Sequence, residues 1–269
     1  VNRITERLSA CKSSDRKALV AYIVHGDPAT DITLPALHSL VANGADILEL
    51  GVPFSDPMAE GPVIQRGHER ALANGASLTS AIALVKKFRE TDTATPVVLM
   101  GYANPIERMG YKALAQAAVD GGVDGMLTVD IPPEEAQALN KELKLEGVES
   151  IFLVAPTTTE ARIADITAVA GGFVYYVSLK GVTGAGHLDA DSVEEKMRLI
   201  RAHTTLPVMV GFGIKDKQTA KAIGALADGV VVGSLFVNAM GELAGASADE
   251  ICSQLSGLIK PIREGLDEL

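Results

Sequence analysis

The stretch NGADILELGVPFSDPMAEGP, residues 43–62, holds one unit of the fold. It opens on a glycine turn, runs through the apolar DILEL (46–50) and empties into a loop rich in glycine and proline. A run that is apolar almost throughout is buried on both faces, as the strands of parallel sheets are. The loop leaving its carboxyl end is where α/β folds of this kind build their sites. One carboxylate, Glu49, interrupts the run, and the loop adds Asp56 and Glu60.

The same unit recurs along the chain. Candidate strands are ALVAYIV (18–24), DILEL (46–50), PVVLMGY (96–102), DGMLTV (124–129), SIFLVA (150–155), FVYYVS (173–178), PVMVG (207–211) and GVVVG (229–233). Amphipathic helical patterns such as ITLPALHSLVANG, YKALAQAAVDGG, PEEAQALNKELKLEG and DSVEEKMRLIRAH lie between them. NGAD (43–46), GGVD (121–124), AGGF (170–173) and ADGV (227–230) place glycine between a helix end and a strand start, where a left-handed C-cap calls for it. Strict β-α alternation implies right-handed crossovers. About eight such units in ~250 residues match a (β/α)8 TIM barrel better than an open doubly wound sheet. No local feature reports closure, so the open sheet stands as the alternative. The absence of a linker or composition break predicts a single domain over 1–269. An extra amphipathic helix is expected in the opening VNRITERLSACKSSDRKALV.

With 269 residues, 47% hydrophobic and 22% charged, the chain can bury a core without a disulfide or metal staple. Cys11 and Cys252 have no ligand-like spacing and suit a reducing compartment. A net charge of −10 with no basic block argues against nucleic acid or an anionic membrane as partner. No apolar run reaches the roughly 18 residues of a membrane span, and a cytoplasmic protein is expected.

Period-2 alternation puts Glu49 on the face of Ile47, opposite Leu48 and Leu50. In a barrel one of those faces is the interior, where desolvation disfavours the ionised carboxylate. A carboxyl with a raised pKa suits proton transfer near neutrality. The competing reading is a structural glutamate paired with a basic residue from another strand. Loop acids are ordinarily solvated, but Glu60 leaves the same strand end, and neighbouring proline and glycine restrict it. Downstream, GVTGAG (181–186), GFG (211–213) and GS (233–234) put glycines at three successive strand ends. Backbone N–H groups there can approach a phosphate, although ordinary βα turns would read the same. Tyr22, Met100, Tyr102, Leu127, Val129 and Phe212 fall on or beside strand ends and either line an apolar pocket or pack the core. His25, in HGDP, reads as solvated or capping. The other histidines form no ligand spacing with it, and no metal site is expected.

Taken in order, HGDP (25–28), ELGVPFSDPMAEGPVIQ (49–65), MGYANPI (100–106), VDIPPEE (129–135), APTTTEARI (155–163), GVTGA (181–185), GFGI (211–214) and GSLFV (233–237) give a family resemblance. Over essentially its whole length the chain resembles the alpha subunits of tryptophan synthase. The resemblance implies a barrel lyase that cleaves indole-3-glycerol phosphate to indole and glyceraldehyde 3-phosphate by a retro-aldol route, with no metal or organic cofactor on this chain. It implies Glu49 as acid/base and Glu60 as the second carboxylate, steadying positive charge at the indole N–H. Tyr175 and Thr183 match residues near the substrate, with Thr183 on a mobile lid, and Tyr22, Ile64, Met100, Tyr102, Leu127, Val129 and Phe212 are expected to complete the substrate pocket. Gly184, Gly213, Gly233 and Ser234 match the phosphate site. Pro53 and Asp56 match a loop facing a pyridoxal-phosphate-bearing beta subunit, in an αββα assembly that receives indole through a tunnel.

Three positions depart from the family pattern. Glu60 stands where aspartate is usual, Leu179 replaces an arginine of the lid beside Lys180, and His25 replaces a small residue. Other readings compatible with the motifs are a stand-alone indole-glycerol-phosphate lyase, another phosphate-binding barrel enzyme and a non-catalytic subunit that senses a phosphate ligand.

Overall fold

The structure is a computed structural model that describes residues 2–178, 190–211 and 213–269. Its strands are β1 Ala18–Val24, β2 Ile47–Gly51, β3 Val97–Gly101, β4 Gly125–Thr128, β5 Glu149–Val154, β6 Val174–Val177, β7 Val208–Gly211 and β8 Gly229–Val232. All neighbours pair in parallel, and Val20 opposite Val231 closes β8 onto β1. The sheet is therefore the closed barrel, not the open alternative.

Helices α1 Arg3–Ser13, α2 Thr33–Ala42, α3 Pro62–Ala73, α4 Leu78–Phe88, α5 Ala103–Met109 and α6 Tyr111–Gly121 belong to the first half. The second half carries α7 Gln137–Leu145, α8 Glu160–Val169, α9 Ala190–His203, α10 Lys217–Gly224, α11 Ser234–Glu242 and α12 Ala248–Asp267. β2, β3 and β8 are each followed by two helices, and α5 and α11 begin directly after the strands they follow, whereas a loop separates α3 from β2. No described helix is long and apolar enough to cross a membrane.

Alternation along the strands separates two apolar sets. Leu19, Ala21, Ile23, Leu48, Leu50 and Leu99 pack outward under the helices. Val20, Ile47, Val98, Leu127, Ile151, Met209 and Val231 fill the barrel interior. The expected N-terminal helix, α1, closes the floor, because its Ile4, Leu8 and Cys11 join the interior cluster. Asn2 caps it by accepting the Ile4 N–H at 2.8 Å, while its own amide donates to the Asp124 carbonyl at 2.8 Å.

The recurring turns work partly as expected. Gly44, Gly122 and Gly172 take positive φ of 120°, 79° and 67°. Gly229 does not: it begins β8, and a β-carbon there would lie 2.5 Å from the Ala18 carbonyl oxygen. The aspartate of these turns is the more regular feature. Asp46, Asp124 and Asp228 accept the N–H groups of Leu19 (3.0 Å), Val97 (2.8 Å) and Val208 (2.9 Å), each on the neighbouring strand. The turn acid thus ties the start of one strand to the start of the next.

Candidate active site

A cavity of about 400 Å³ opens at the carboxyl ends of the strands. Ile64, Met100, Val231 and Leu235 supply apolar wall, and Tyr22 and Tyr175 close in from β1 and β6. Gly213, Gly233 and Ser234 form one end, together with Lys215 and Asn238. At that end α11 begins: Phe236 N–H is turned to the Gly233 carbonyl at 2.9 Å, and the N–H groups of Ser234 and Leu235 lie in the free first turn. Such a helix start favours an anion.

Glu49 sits two residues before the end of β2, opposite Tyr22 of β1 and Val98 of β3. It is 1% exposed and lines the cavity. Neither carboxyl oxygen has a hydrogen-bond partner among the described residues. Burial first, and then the nearby Glu60, push its pKa up to about 8. The paired structural glutamate therefore finds no support here.

Glu60 is buried, at 9% exposure, although most of its loop is not. Ser55, Asp56, Met58 and Ala59 face solvent, and the chain turns inward at Glu60 just before Gly61 and Pro62 start α3. Tyr102 donates its hydroxyl to Glu60 Oε2, accepts the Ala59 N–H at 3.2 Å and stacks on Phe54 with ring centroids 5.0 Å apart. Burial, aided by Asp130, raises the Glu60 carboxyl to about 8 against an opposing backbone hydrogen bond.

The family model for Tryptophan synthase alpha chain matches residues 8–262. The tryptophan synthase alpha chain of Thiobacillus denitrificans is 52% identical over 267 residues, covering 99% of this chain and 97% of its own. That of Thioalkalivibrio sulfidiphilus is 58% identical over 242 residues, covering 90% and 91%. The solved subunit alpha from Legionella pneumophila superposes with a TM-score of 0.92 at 42% identity over 100% of both chains. The chain belongs to the tryptophan synthase alpha chain family. It is a lyase of tryptophan biosynthesis, and the family's known reaction is the cleavage of indole-3-glycerol phosphate. Membership in the tryptophan synthase alpha chain family also implies a beta-subunit partner.

Of the residues singled out from sequence, Tyr22, Glu49, Ile64, Met100, Tyr175, Gly213, Gly233 and Ser234 come together at the cavity. Tyr102 stands behind it and holds Glu60. Leu127 is sealed in the barrel interior below, and Val129 packs against that interior cluster, so neither forms cavity wall. Thr183, Gly184 and Phe212, with Leu179 and Lys180, lie outside the described residues. Pro53 is buried at the side of a separate groove of about 650 Å³ with Phe54, Leu78, Asn104 and Arg108. Asp56 is exposed and accepts the Ser55 hydroxyl at 2.6 Å.

His25 is not solvated. It is buried, with Nε2 2.8 Å from the Ser80 hydroxyl in the capping box of α4. Sequence reasoning did not pick out Lys215, Asn238 or His68. The first two follow the glycines at the ends of β7 and β8 and were within reach of a helix-start argument. His68 lies on α3 in the middle of a helical pattern, and only its contacts reveal it. Among the described residues no group of three or more His, Cys, Asp or Glu is placed to hold a metal ion.

Proposed function

We propose that this chain cleaves indole-3-glycerol phosphate in the strand-end cavity, with Glu49 as acid/base and Glu60 as second carboxylate. The observation that carries the reading is the buried, unpartnered Glu49 carboxyl on the cavity wall. Held up at about 8, it keeps a proton at neutral pH and can deliver it to indole C3. The ring then bears positive charge at nitrogen and becomes the electron sink. The resulting Glu49 carboxylate takes the proton of the glycerol hydroxyl next to the ring. That carbon–oxygen bond becomes the aldehyde carbonyl, the carbon–carbon bond to the ring breaks, and its electrons restore aromatic indole. Glu49 ends protonated, as it began.

Glu60, raised to about 8 as Glu49 is, acts through its carboxylate form: the positive charge that develops at the ring N–H favours that form beside it, and the carboxylate in turn offsets the charge. In a cavity with little water such a fixed group acts more strongly than it would in solvent. Gly213, Gly233 and Ser234 are proposed to take the phosphate at the free start of α11. Tyr22, Ile64, Met100 and Tyr175 enclose the indole.

The same proposal has residues 1–269 working as a single cytoplasmic domain in an αββα heterotetramer. The beta subunit carries pyridoxal phosphate and meets the loop of Pro53 and Asp56. The test is indole release from indole-3-glycerol phosphate by the purified chain, with and without a tryptophan synthase beta subunit. Slow release alone and strong activation by the partner are expected. Fast release alone would favour a stand-alone lyase, and no release in either case would overturn the proposal.

A further inference from the structure

His68 is 1% exposed, and the chemistry above does not use it. Its ring joins two parts of the loop that follows β2. Nδ1 lies 3.0 Å from the Phe54 backbone nitrogen. A backbone N–H can only donate, so Nδ1 is the acceptor and the neutral ring carries its hydrogen on Nε2. Burial lowers this imidazole to about 4, so it is neutral in the working range and its approach to Glu60 is not an ion pair. Nε2 lies 3.4 Å from the Tyr22 hydroxyl oxygen and 4.0 Å from Glu60 Oε1. Tyr102 already holds the other oxygen, Oε2.

We propose that His68 is a positioning residue for Glu60: fixed through Nδ1 to the loop backbone at Phe54, it offers its Nε2–H to the Glu60 carboxylate and sets where that side chain ends. The proposal rests on reading Glu60 as the second carboxylate. A glutamate reaching in from a mostly exposed loop has three side-chain torsions to fix, and a donor on each oxygen fixes them. At 4.0 Å the contact is longer than a hydrogen bond, and ionisation of Glu60 is what draws the donor in. The other groups facing this pair are Tyr22 from β1, Glu49 from β2, Tyr102 after β3, Asp130 after β4 and Tyr175 from β6. Asp27 also acts on Tyr22, and Arg70 of α3 is engaged with that Asp27. Placed between the Tyr22 hydroxyl and Glu60, a neutral N–H donor favours the ionised form of that carboxyl.

The test is the pH profile of kcat and KM for indole release in His68→Asn, His68→Gln, Glu60→Asp and the His68→Asn/Glu60→Asp double variant. Asparagine keeps an acceptor for Phe54 and loses the donor toward Glu60, whereas glutamine restores an N–H near the place of Nε2. In His68→Asn, kcat is expected to fall roughly tenfold, the scale of a lost hydrogen bond to a charged group. Its acidic limb moves to higher pH, because a carboxylate with one donor fewer holds its proton more tightly. His68→Gln recovers part of both, and Glu60→Asp has a smaller effect in the His68→Asn background than alone.

Effects that multiply to within about twofold, or an acidic limb that stays put, overturn the inference and leave His68 a packing residue. Circular dichroism and melting of each variant identify one that fails to fold, and His68→Gln then carries the comparison. Glu60→Gln separates the two readings. Unchanged kcat in that variant removes Glu60 from the chemistry altogether, while a slow Glu60→Gln beside an additive cycle removes only His68.

Discussion

The hydroxyl of Tyr22 fills the space that a β-carbon on Gly51 would need, 2.4 Å from where that carbon would sit. Tyr175 stands in the same relation to Gly211, also at 2.4 Å. Each ring leaves its own strand and lies across the terminal glycine of the next, from β1 onto β2 and from β6 onto β7. Both rings line the cavity. Burial, joined by Glu49 and Glu60, holds both phenols well above their ordinary pKa, so they stay neutral beside the two carboxyls.

Replacing either glycine with alanine forces the ring toward the cavity. Gly51→Ala and Gly211→Ala are expected to destabilise the fold by about 1–3 kcal/mol, the usual scale of overpacking. The larger effect falls on substrate: KM for indole-3-glycerol phosphate rises roughly tenfold, as a displaced wall narrows the site. Urea titration and steady-state kinetics read the two effects separately. An unchanged KM would mean that the ring relaxes away from the substrate.

Asp27 is fully buried and accepts two hydrogen bonds from Arg70, at 2.6 Å to Nε and 2.9 Å to the terminal nitrogen. Burial pushes the Asp27 carboxyl up, and the guanidinium pulls it partly back. Arg70→Leu strands a buried carboxylate and is expected to cost about 3 kcal/mol. Asp27→Asn removes the buried charge itself and is expected to cost less. Lysine at position 70 cannot reproduce the two-pronged geometry and falls between. Urea melts of the three variants give the order, and equal losses for Arg70→Leu and Asp27→Asn would contradict it.

How much of this was legible in the sequence depended on how far apart the partners lie. Glu49 could be placed because strand alternation is local: Ile47 and Glu49 share a face whatever the rest of the chain does. Leu127 and Val129 could be placed only at or beside a strand end, as pocket wall or as core. Whether such residues reach the cavity or the core below depends on height along the axis, which strand stagger sets and no local pattern states. The aspartates of NGAD, GGVD and ADGV were in plain view beside the glycines. Their partners, Leu19, Val97 and Val208, lie 27, 27 and 20 residues away and become neighbours only when the sheet forms. His68 was hidden for the same reason, because helical periodicity gives a face but not the Phe54 N–H waiting there.

Asp124 shows what one of those turn acids carries. It is buried and accepts from the Val97 N–H at 2.8 Å, from Arg89 at 2.7 Å and from Arg3 at 2.8 Å. It thereby joins β3, the end of α4 and the start of α1 at the floor of the barrel, away from the cavity. Asp124→Ala leaves a buried guanidinium and a strand N–H without their acceptor, and a loss of about 3–5 kcal/mol is expected. At a temperature where the variant remains folded, kcat should match the parent. A large fall in kcat with little change in melting would reverse the assignment.

Glu49 yields a prediction in which stability and catalysis move in opposite directions. Its pKa is about 8 in the folded protein against an ordinary 4.5, so the folded state holds the proton more tightly than the unfolded chain does. The stability tied to that proton is complete below about pH 4.5 and is lost as pH rises through 8. Glu60, also near 8, acts with the same sign. His25 and His68 act oppositely: lowered from 6.5 to about 4, they withdraw stability only as pH falls through that range. The carboxyl effect therefore dominates above pH 6.5, where both histidines are neutral in the folded state and more than half neutral in the unfolded chain. Between about pH 6.5 and 8.5 the parent should lose stability. Glu49→Gln, which cannot ionise, should lose less and equal or exceed the parent at the alkaline end. The same variant cannot exchange a proton with substrate, and its kcat should fall by about 10²–10⁴. Urea titrations across that window and single-turnover indole release give both numbers. A slope as steep as the parent's would mean that the carboxyl is solvated, and retained turnover would remove Glu49 from the reaction.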